Sequence, residues 1–209
     1  EAERRLGRRT TAIWLTHHHP DHVGGVEALR RALGVPVLAH VATGERLLPL
    51  GITVDGHLAD GERVTLAGGP PLTLCVLHTP GHARGHLCFL DESDGTLIAG
   101  DLISGVSTIV IDPPEGDMDD YLSSLSRVRD LAPRMLIPAH GPALRDGAAK
   151  LEETRLHRLA REEKVLAAWR SGLRTAGEMI DGVYDDPAAA VRPLAERQIT
   201  AHLDRLRRA

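Results

Sequence analysis

Histidine and aspartate residues are concentrated in one short segment of the chain. The sequence runs His17-His18-His19-Pro20-Asp21-His22, so imidazoles alternate at 17 and 19 before a carboxylate and another imidazole follow. Neutral imidazole is a usual ligand of zinc, and carboxylate oxygen also suits iron or manganese. Burying so many polar groups together is costly unless something satisfies them. The segment therefore predicts a metal site rather than an inert loop.

Three later segments carry side chains of the same kind beside glycine or proline. Together with the first segment they give seven candidate metal ligands: His17, His19, Asp21, His22, His82, Asp101 and His140. We expect His17, His19 and His82 to hold one ion. Asp21, His22 and His140 would hold a second ion. Asp101 would bridge the two, because a carboxylate has two oxygens to share.

Such a pair of ions predicts hydrolytic chemistry. Each ion keeps a position for solvent, which is typical of a catalytic site rather than a structural one. Two divalent ions ~3.5–4 Å apart generate a hydroxide near neutral pH and stabilise negative charge on the reacting oxygen. We expect Asp21 to orient the attacking hydroxide in addition to ligating, which makes it the candidate catalytic residue. The predicted cofactor is two Zn²⁺ ions, with iron or manganese as alternatives.

One further histidine follows a ligand closely in the sequence. His86 comes four residues after His82, in the stretch Gly81-His82-Ala83-Arg84-Gly85-His86. Residues around a metal site often hydrogen-bond the ligands and orient them. His86 is therefore a candidate to support a ligand or contact the substrate, and an ordinary structural role stays open. His18 alternates with the ligands and is expected to point away from them.

The apolar runs that precede these segments predict a sheet with the reactive residues at one edge. Predicted strands cover 11–16, 35–39, 64–66, 72–77, 87–90, 97–99 and 135–137, and predicted helices cover 23–33, 41–50 and 117–131, the last with Asp117 as its N-cap. Strands that alternate with helices indicate an α/β fold. Four strands end in His or Asp next to Gly or Pro, and loops at one sheet edge are where α/β proteins place reactive residues.

From about residue 147 the predicted strands stop and only helices are predicted. Three helices are predicted from there, over 147–171, 175–183 and 188–208, with alternating charges and no chemical motif of their own. We therefore divide the chain into a metal-binding domain over 1–146 and a helical domain over 147–209.

The composition limits the function classes. The chain has 209 residues, 42% of them hydrophobic and only 2% aromatic, so its core must be aliphatic. The net charge of -4 gives no basic field for nucleic acid. Cys75 and Cys88 lie in apolar runs and are expected to be buried free thiols. No apolar run is long enough to span a membrane and no signal peptide is evident, which predicts a cytoplasmic location.

The ordered motifs resemble those of the metallo-β-lactamase fold hydrolases. The resemblance rests on His17-x-His19-x-Asp21-His22, Thr79-Pro80-Gly81-His82, Gly100-Asp101 and Pro138-Ala139-His140-Gly141-Pro142. It covers about residues 10–145, and all seven ligands of the dinuclear branch have a matching position. The resemblance implies an αββα sandwich with the metals at one sheet edge and zinc as the usual ion.

A closer resemblance is to the β-lactamase-like protein 2 group, on Gly100-Asp101-Leu102-Ile103 and on Tyr121-Leu122-x-Ser124-Leu125. It implies that the helices after 147 form a winged-helix-like domain. Only about ten residues precede the predicted strand 11–16 that leads into the His segment, where the family has several strands. We therefore expect a metal domain that is partial at its N-terminus, with an exposed sheet edge that can pair with a second copy.

Three functions follow as alternatives. The leading prediction is a metal-dependent hydrolase of a thioester or other acyl substrate, either small or held on an acyl carrier. The second is an endoribonuclease that cleaves single-stranded RNA with the same metals, an activity that the resemblance to the β-lactamase-like protein 2 group implies. The third is a non-catalytic, truncated metal-binding remnant. A homodimer is a further expectation, and no membrane partner is expected.

Overall fold

Two β-sheets, one of three strands and one of six, form the centre of the protein. The structure is a computed structural model that describes Gly7 and residues 9–67, 71–184 and 191–208. Its strands are β1 (Ile13–Trp14), β2 (Val37–Ala39), β3 (Gly56–His57), β4 (Arg63–Leu66), β5 (Leu72–His78), β6 (Leu87–Asp91), β7 (Thr96–Gly100), β8 (Met135–Pro138) and β9 (Leu144–Arg145). Strands β1 to β3 are parallel neighbours in the smaller sheet, and β4 to β9 follow chain order in the larger one.

Seven α-helices surround the sheets. They are α1 (Pro20–Val23), α2 (Val26–Leu33), α3 (Val41–Leu47), α4 (Met118–Asp130), α5 (Gly147–Arg170), α6 (Ala176–Val183) and α7 (Arg192–Arg208) within the described residues, and a 3₁₀ turn over Leu48–Leu50 extends α3. In the larger sheet β7 and β8 are parallel and joined through α4, whereas the other neighbouring strands are antiparallel.

The apolar side chains form a layered core. Trp14 and Leu38 of the smaller sheet pack with Val76 and Phe89 of the larger one, and the rings of Trp14 and Phe89 lie 5.2 Å apart. The smaller sheet packs its other face on α1 to α3, and the larger sheet packs its other face on α4 and α5. The order helices, sheet, sheet, helices confirms the predicted mixed α/β fold.

Local sequence explains where the helices begin. Asp117 caps α4 as predicted, and its carboxylate accepts hydrogen bonds from the backbone N–H groups of Asp119 and Asp120 at 2.8 and 3.1 Å. In place of the single predicted helix over 23–33 there are two helices, α1 and α2, separated by Gly24 and Gly25. The first begins earlier than predicted, at Pro20, a residue favoured in the first helical position. The strands β3 and β9 have no counterpart among the predicted strands, since two residues are too few to show an alternating pattern.

The helices after residue 147 pack around a core of their own. Side chains of α5, α6 and α7 meet in this core, which contains Val165, Met179, Ile180, Val183 and Ile199. The first two predicted helices of this region are confirmed. The predicted third helix is described over Arg192–Arg208, and its first residues, 188–190, lie outside the described residues.

The described parts of this region contain helices only, and α5 and α7 also contact α4. The boundary at 146, the winged-helix likeness and the partial N-terminus therefore stay predictions. Cys75 and Cys88 are both free and buried, as expected. None of the helices in the described part of the chain has the length and hydropathy needed to cross a bilayer.

Candidate metal centre

The segment between β1 and α1 places its histidines at the edge of the smaller sheet. The N–H of Leu15 donates to the carbonyl of Leu38 at 2.9 Å, which holds the segment against β2. His19 is extended and immediately precedes α1, and the N–H of His22 donates back to the His19 carbonyl at 2.9 Å. This turn brings the imidazoles of His17, His19 and His22 to the same point.

The first cluster consists of His17, His19 and His82. One nitrogen of each imidazole lies within 4.8 Å of the others. The closest approach joins His17 Nε2 and His19 Nδ1 at 3.1 Å. His17 and His82 are buried, and His19 is half-buried. The structure thus brings together the three residues that the sequence assigns to one ion.

The second cluster consists of Asp21, His22 and His140, whose candidate ligand atoms also lie within 4.8 Å of one another. Asp21 Oδ2 is 3.5 Å from His22 Nε2 and 3.3 Å from His140 Nε2. The side chains of Asp21 and His140 are 59% and 42% exposed, so this cluster faces solvent and can be reached by a substrate.

Asp101 lies between the two clusters. Its Oδ2 atom is 3.4 Å from His82 Nε2, whereas its Oδ1 atom is 3.5 Å from both His22 Nε2 and His140 Nε2. The two oxygens of one carboxylate therefore face different clusters, which is the arrangement expected of a bridging ligand.

The donor atoms fit divalent metal ions. His22 Nε2, His82 Nε2 and Asp101 Oδ1 are buried and have no hydrogen-bond partner among the described residues. Buried polar atoms without partners are rare in folded proteins. Tetrahedral zinc with bonds of about 2.0–2.1 Å would separate its ligands by about 3.3–3.4 Å. The distances of 3.1 to 3.5 Å between the facing atoms match that separation.

Burial favours the neutral imidazoles that metals require. It lowers the pKa of His82 to about 4, with nearby His19 acting in the same direction, and it also lowers the pKa of His17 and His19. His22 differs: burial lowers its pKa, but the nearby carboxylates of Asp101 and Asp21 outweigh that effect and raise the pKa above its ordinary value. A metal ligand must be deprotonated, so His17, His19 and His82 are in the form that binds a cation near neutral pH.

His86 supports Asp101 rather than joining either cluster. Its Nε2 atom accepts the backbone N–H of Asp101 at 2.9 Å, and its Nδ1 atom lies 2.8 Å from Thr79 Oγ1. Since Nε2 accepts, the proton of the neutral ring is on Nδ1 and is donated to Thr79. Burial lowers the pKa of His86 to about 3, which favours this neutral form. His18 belongs to none of the three metal-binding groups found among the described residues.

Two glycines allow the loops to approach one another. Gly81, before His82, has φ +127°, and a Cβ there would lie 2.3 Å from the Cα of Tyr121. Gly100, before Asp101, has φ +49°, and a Cβ there would lie 2.7 Å from His86 Nε2. Only glycine satisfies both the backbone conformation and the contact at each position.

Two contacts at the site have no signal in the sequence. The Val110 carbonyl accepts a hydrogen bond from His82 Nδ1 at 2.7 Å, which turns Nε2 towards Asp101. Leu194 of α7 lines the cavity of about 320 Å³ that contains His19, Asp21, His82 and Asp101. The first contact is made by a backbone group, and the second comes from a helix without a motif. The helical region therefore contributes to the wall of the site.

A family model described as the metallo-beta-lactamase superfamily matches residues 1–140 of this chain. Among solved structures, a metallo-beta-lactamase family protein from Thermus thermophilus superposes with a TM-score of 0.76 at 28% identity. That alignment covers 99% of this chain and 78% of the other.

Two curated relatives are similar over most of this chain. The Beta-lactamase-like protein 2 homolog of Drosophila melanogaster is 29% identical over 213 residues, covering 93% of this chain and 67% of that protein. The Atrochrysone carboxyl ACP thioesterase of Aspergillus chevalieri is 32% identical over 184 residues, covering 84% of this chain and 56% of that protein. The chain thus spans between about half and two thirds of the length of these relatives.

Proposed function

The chain belongs to the metallo-beta-lactamase superfamily, and from that premise we propose that it is a hydrolase dependent on two divalent metal ions, with zinc as the favoured ion. His17, His19 and His82 would hold one ion, and Asp21, His22 and His140 the other. Asp101 would bridge them. The single observation that carries the proposal is the carboxylate of Asp101, whose Oδ1 and Oδ2 atoms face different clusters at 3.4 to 3.5 Å.

The residues around the ions have separable tasks in the proposed reaction. When bound, the two ions supply a hydroxide near neutral pH and stabilise negative charge on the substrate oxygen. Asp21 is exposed and lines the cavity, so its carboxylate would accept a hydrogen bond from the attacking oxygen and orient it. Val110 fixes the direction of His82, and His86 fixes the backbone of Asp101.

For the substrate we propose a thioester or another acyl compound. The support is a relative named as an acyl-carrier thioesterase and a cavity of about 320 Å³, which admits a small acyl group beside Asp101. Cleavage of single-stranded RNA, the non-catalytic remnant, a homodimer, a cytoplasmic location and a winged-helix-like character of residues 147–209 stay predictions.

The test combines metal content with turnover. The purified protein is expected to contain about two zinc, iron or manganese ions per chain by elemental mass spectrometry. It should also hydrolyse short-chain thioesters and lose that activity with a chelator. Single-stranded RNA is assayed alongside, because the same metals serve both predicted reactions. Full occupancy with RNA cleavage and no thioesterase activity would overturn the choice of substrate, and failure to take up any divalent ion would overturn the function.

A further inference from the structure

A buried arginine near the metal centre has no carboxylate partner among the residues that the structure describes. Arg158, in the middle of α5, is 2% exposed. Its guanidinium donates to Gln198 Oε1 at 3.1 Å and to the carbonyl of Ile109, and its Nε atom has no hydrogen-bond partner among the described residues. Within the same part of the chain it forms no ion pair with Asp or Glu. Since buried charges are normally paired, Arg158 lacks an anionic partner within the described part of the chain.

Arg158 lines a cavity of about 330 Å³ between α5, α7 and the segment before Val110. We call it the arginine cavity, and its defining residues are Val110, Arg158, Arg161, Tyr184, Leu194 and Gln198. Arg161, one helical turn after Arg158, lies over the Tyr184 ring at 3.9 Å and donates to the carbonyl of Val183. The cavity therefore combines apolar walls with two guanidinium groups.

The arginine cavity lies beside the cavity of the metal centre. Val110 and Leu194 line both the arginine cavity and the cavity that contains His82 and Asp101. Val110 is also the residue whose carbonyl orients His82. A substrate whose reacting bond lies beside Asp101 would therefore pass Val110 and Leu194 to reach Arg158. The order along this path is metal ligands, apolar side chains, and then positive charge.

We propose that the arginine cavity binds the remote part of the substrate, an apolar segment that ends in a carboxylate or phosphate, with Arg158 and Arg161 as its counter-ions. This inference rests on the proposed function, because that function places the reacting bond at Asp101. The anion has two sources: a carboxylate at the far end of the acyl group, or a phosphate in the leaving group. Either group would supply a negative charge beside Arg158, which has no carboxylate partner in the described ranges.

Three thioesters distinguish the sources. Octanoyl-N-acetylcysteamine is neutral, octanedioyl-N-acetylcysteamine adds a carboxylate to the acyl end, and octanoyl-phosphopantetheine adds a phosphate to the leaving group. We expect one of the two charged substrates to have kcat/KM at least about tenfold above the neutral one, which corresponds to one charge-assisted contact. The charged substrate that has the higher kcat/KM identifies the source of the anion.

Variants then test whether the higher kcat/KM of the charged substrate depends on the arginine cavity. In Arg158→Gln and in Arg161→Gln the ratio of kcat/KM between the charged and neutral substrates should fall towards one. Arg158→Lys keeps the charge and should retain more of the ratio than Arg158→Gln. The matched control is Arg170→Gln, the same change at an exposed position at the end of α5, which should keep the wild-type ratio. Arg161 is half-buried, so its variant remains informative if Arg158→Gln does not fold.

A binding measurement separates this inference from the proposed function. Calorimetry with the metal-free protein compares octanedioate, octanoate and octyl phosphate with octanol. Anion binding that weakens in Arg161→Gln or Arg158→Gln would support the cavity even if no thioester is hydrolysed, in which case only the proposed function fails. Equal kcat/KM for charged and neutral thioesters, or a preference unchanged in both Gln variants, would overturn the inference.

Discussion

Asp101 depends on a histidine fifteen residues earlier in the chain. The Nε2 atom of His86 accepts a hydrogen bond from the Asp101 N–H, and its Nδ1–H donates a hydrogen bond to Thr79 Oγ1. Groups that orient metal ligands commonly affect metal affinity almost as much as the ligands themselves. At the scale of single residues, the site is therefore larger than its seven candidate ligands.

We expect His86→Ala to weaken divalent metal binding about 10- to 100-fold, because Asp101 loses the partner that fixes its backbone. His86→Gln should retain more affinity, since its amide can still accept a hydrogen bond. Zinc affinity is measured by competition with a chromogenic chelator. The control is His57→Ala, which removes an exposed imidazole outside the clusters. Unchanged affinity in His86→Ala would contradict the supporting role.

Removing a ligand should have a larger effect than removing a supporting residue. We expect His82→Ala and Asp21→Ala each to lower kcat/KM at least about 10³-fold, because the ions and the attacking oxygen lose their positions. Far-ultraviolet circular dichroism should show that the fold is kept. Full turnover in either variant would show that the site is assigned wrongly.

The buried histidines also predict how acid affects the metal-free protein. The folded-state pKa is about 3 for His86 and about 4 for His82, against an ordinary value of 6.5. The unfolded chain therefore binds more protons as the pH falls below 6.5, so stability is lost from there towards pH 4. Each such histidine contributes at most about 1.4 kcal/mol per pH unit.

Urea unfolding of the chelated protein at pH 7 to 5 measures this loss. The His86→Gln variant should show a smaller decrease of the free energy of unfolding over this range than the wild type. Equal slopes would show that His86 is not held neutral by the fold.

At the scale of elements, glycine positions decide whether the loops can meet. Gly81 ends the turn after β5 and lies against the backbone of α4, with room for no side chain. Gly182, within α6, has nothing within 4 Å of the position that a Cβ would occupy. Substitution by alanine should therefore change the stability of the protein in opposite directions at the two glycines.

We expect Gly81→Ala to destabilise the protein by more than about 3 kcal/mol, because it combines a disfavoured φ with a clash against Tyr121. Gly182→Ala should stabilise it by about 0.5–1 kcal/mol, because alanine is favoured inside a helix. Thermal unfolding of both variants and of the wild type measures the change in stability. A Gly81→Ala protein that melts like the wild type would contradict the close contact between the β5 turn and α4.

At the scale of the whole molecule, metal binding and folding are linked. The candidate ligands come from the segment after β1, from α1 and from the loops after β5, β7 and β8, so an ion that binds only the folded chain holds both sheets together. With free zinc at 100 times Kd this linkage adds about 2.7 kcal/mol per site. We expect chelation to lower Tm by at least about 5 °C and two equivalents of zinc to restore it. A Tm that is insensitive to both would contradict a metal centre.

The sequence by itself determined the α/β order, most helices and the seven candidate ligands. These features depend on apolar periodicity and histidine spacing. Both are patterns among residues close together in the chain, so they can be read without the fold. It also predicted that Asp101 would lie between two groups, and the structure brings its two oxygens to His82 on one side and to His22 and His140 on the other.

Only the tertiary structure decided the rest. It showed that His86 supports Asp101, that the Val110 carbonyl orients His82, and that Leu194 of the helical region lines the cavity beside Asp101. These contacts join residues far apart in the chain, several through backbone groups that every residue type possesses. Because such groups leave no pattern in a sequence, their partners become visible only when the chain is folded.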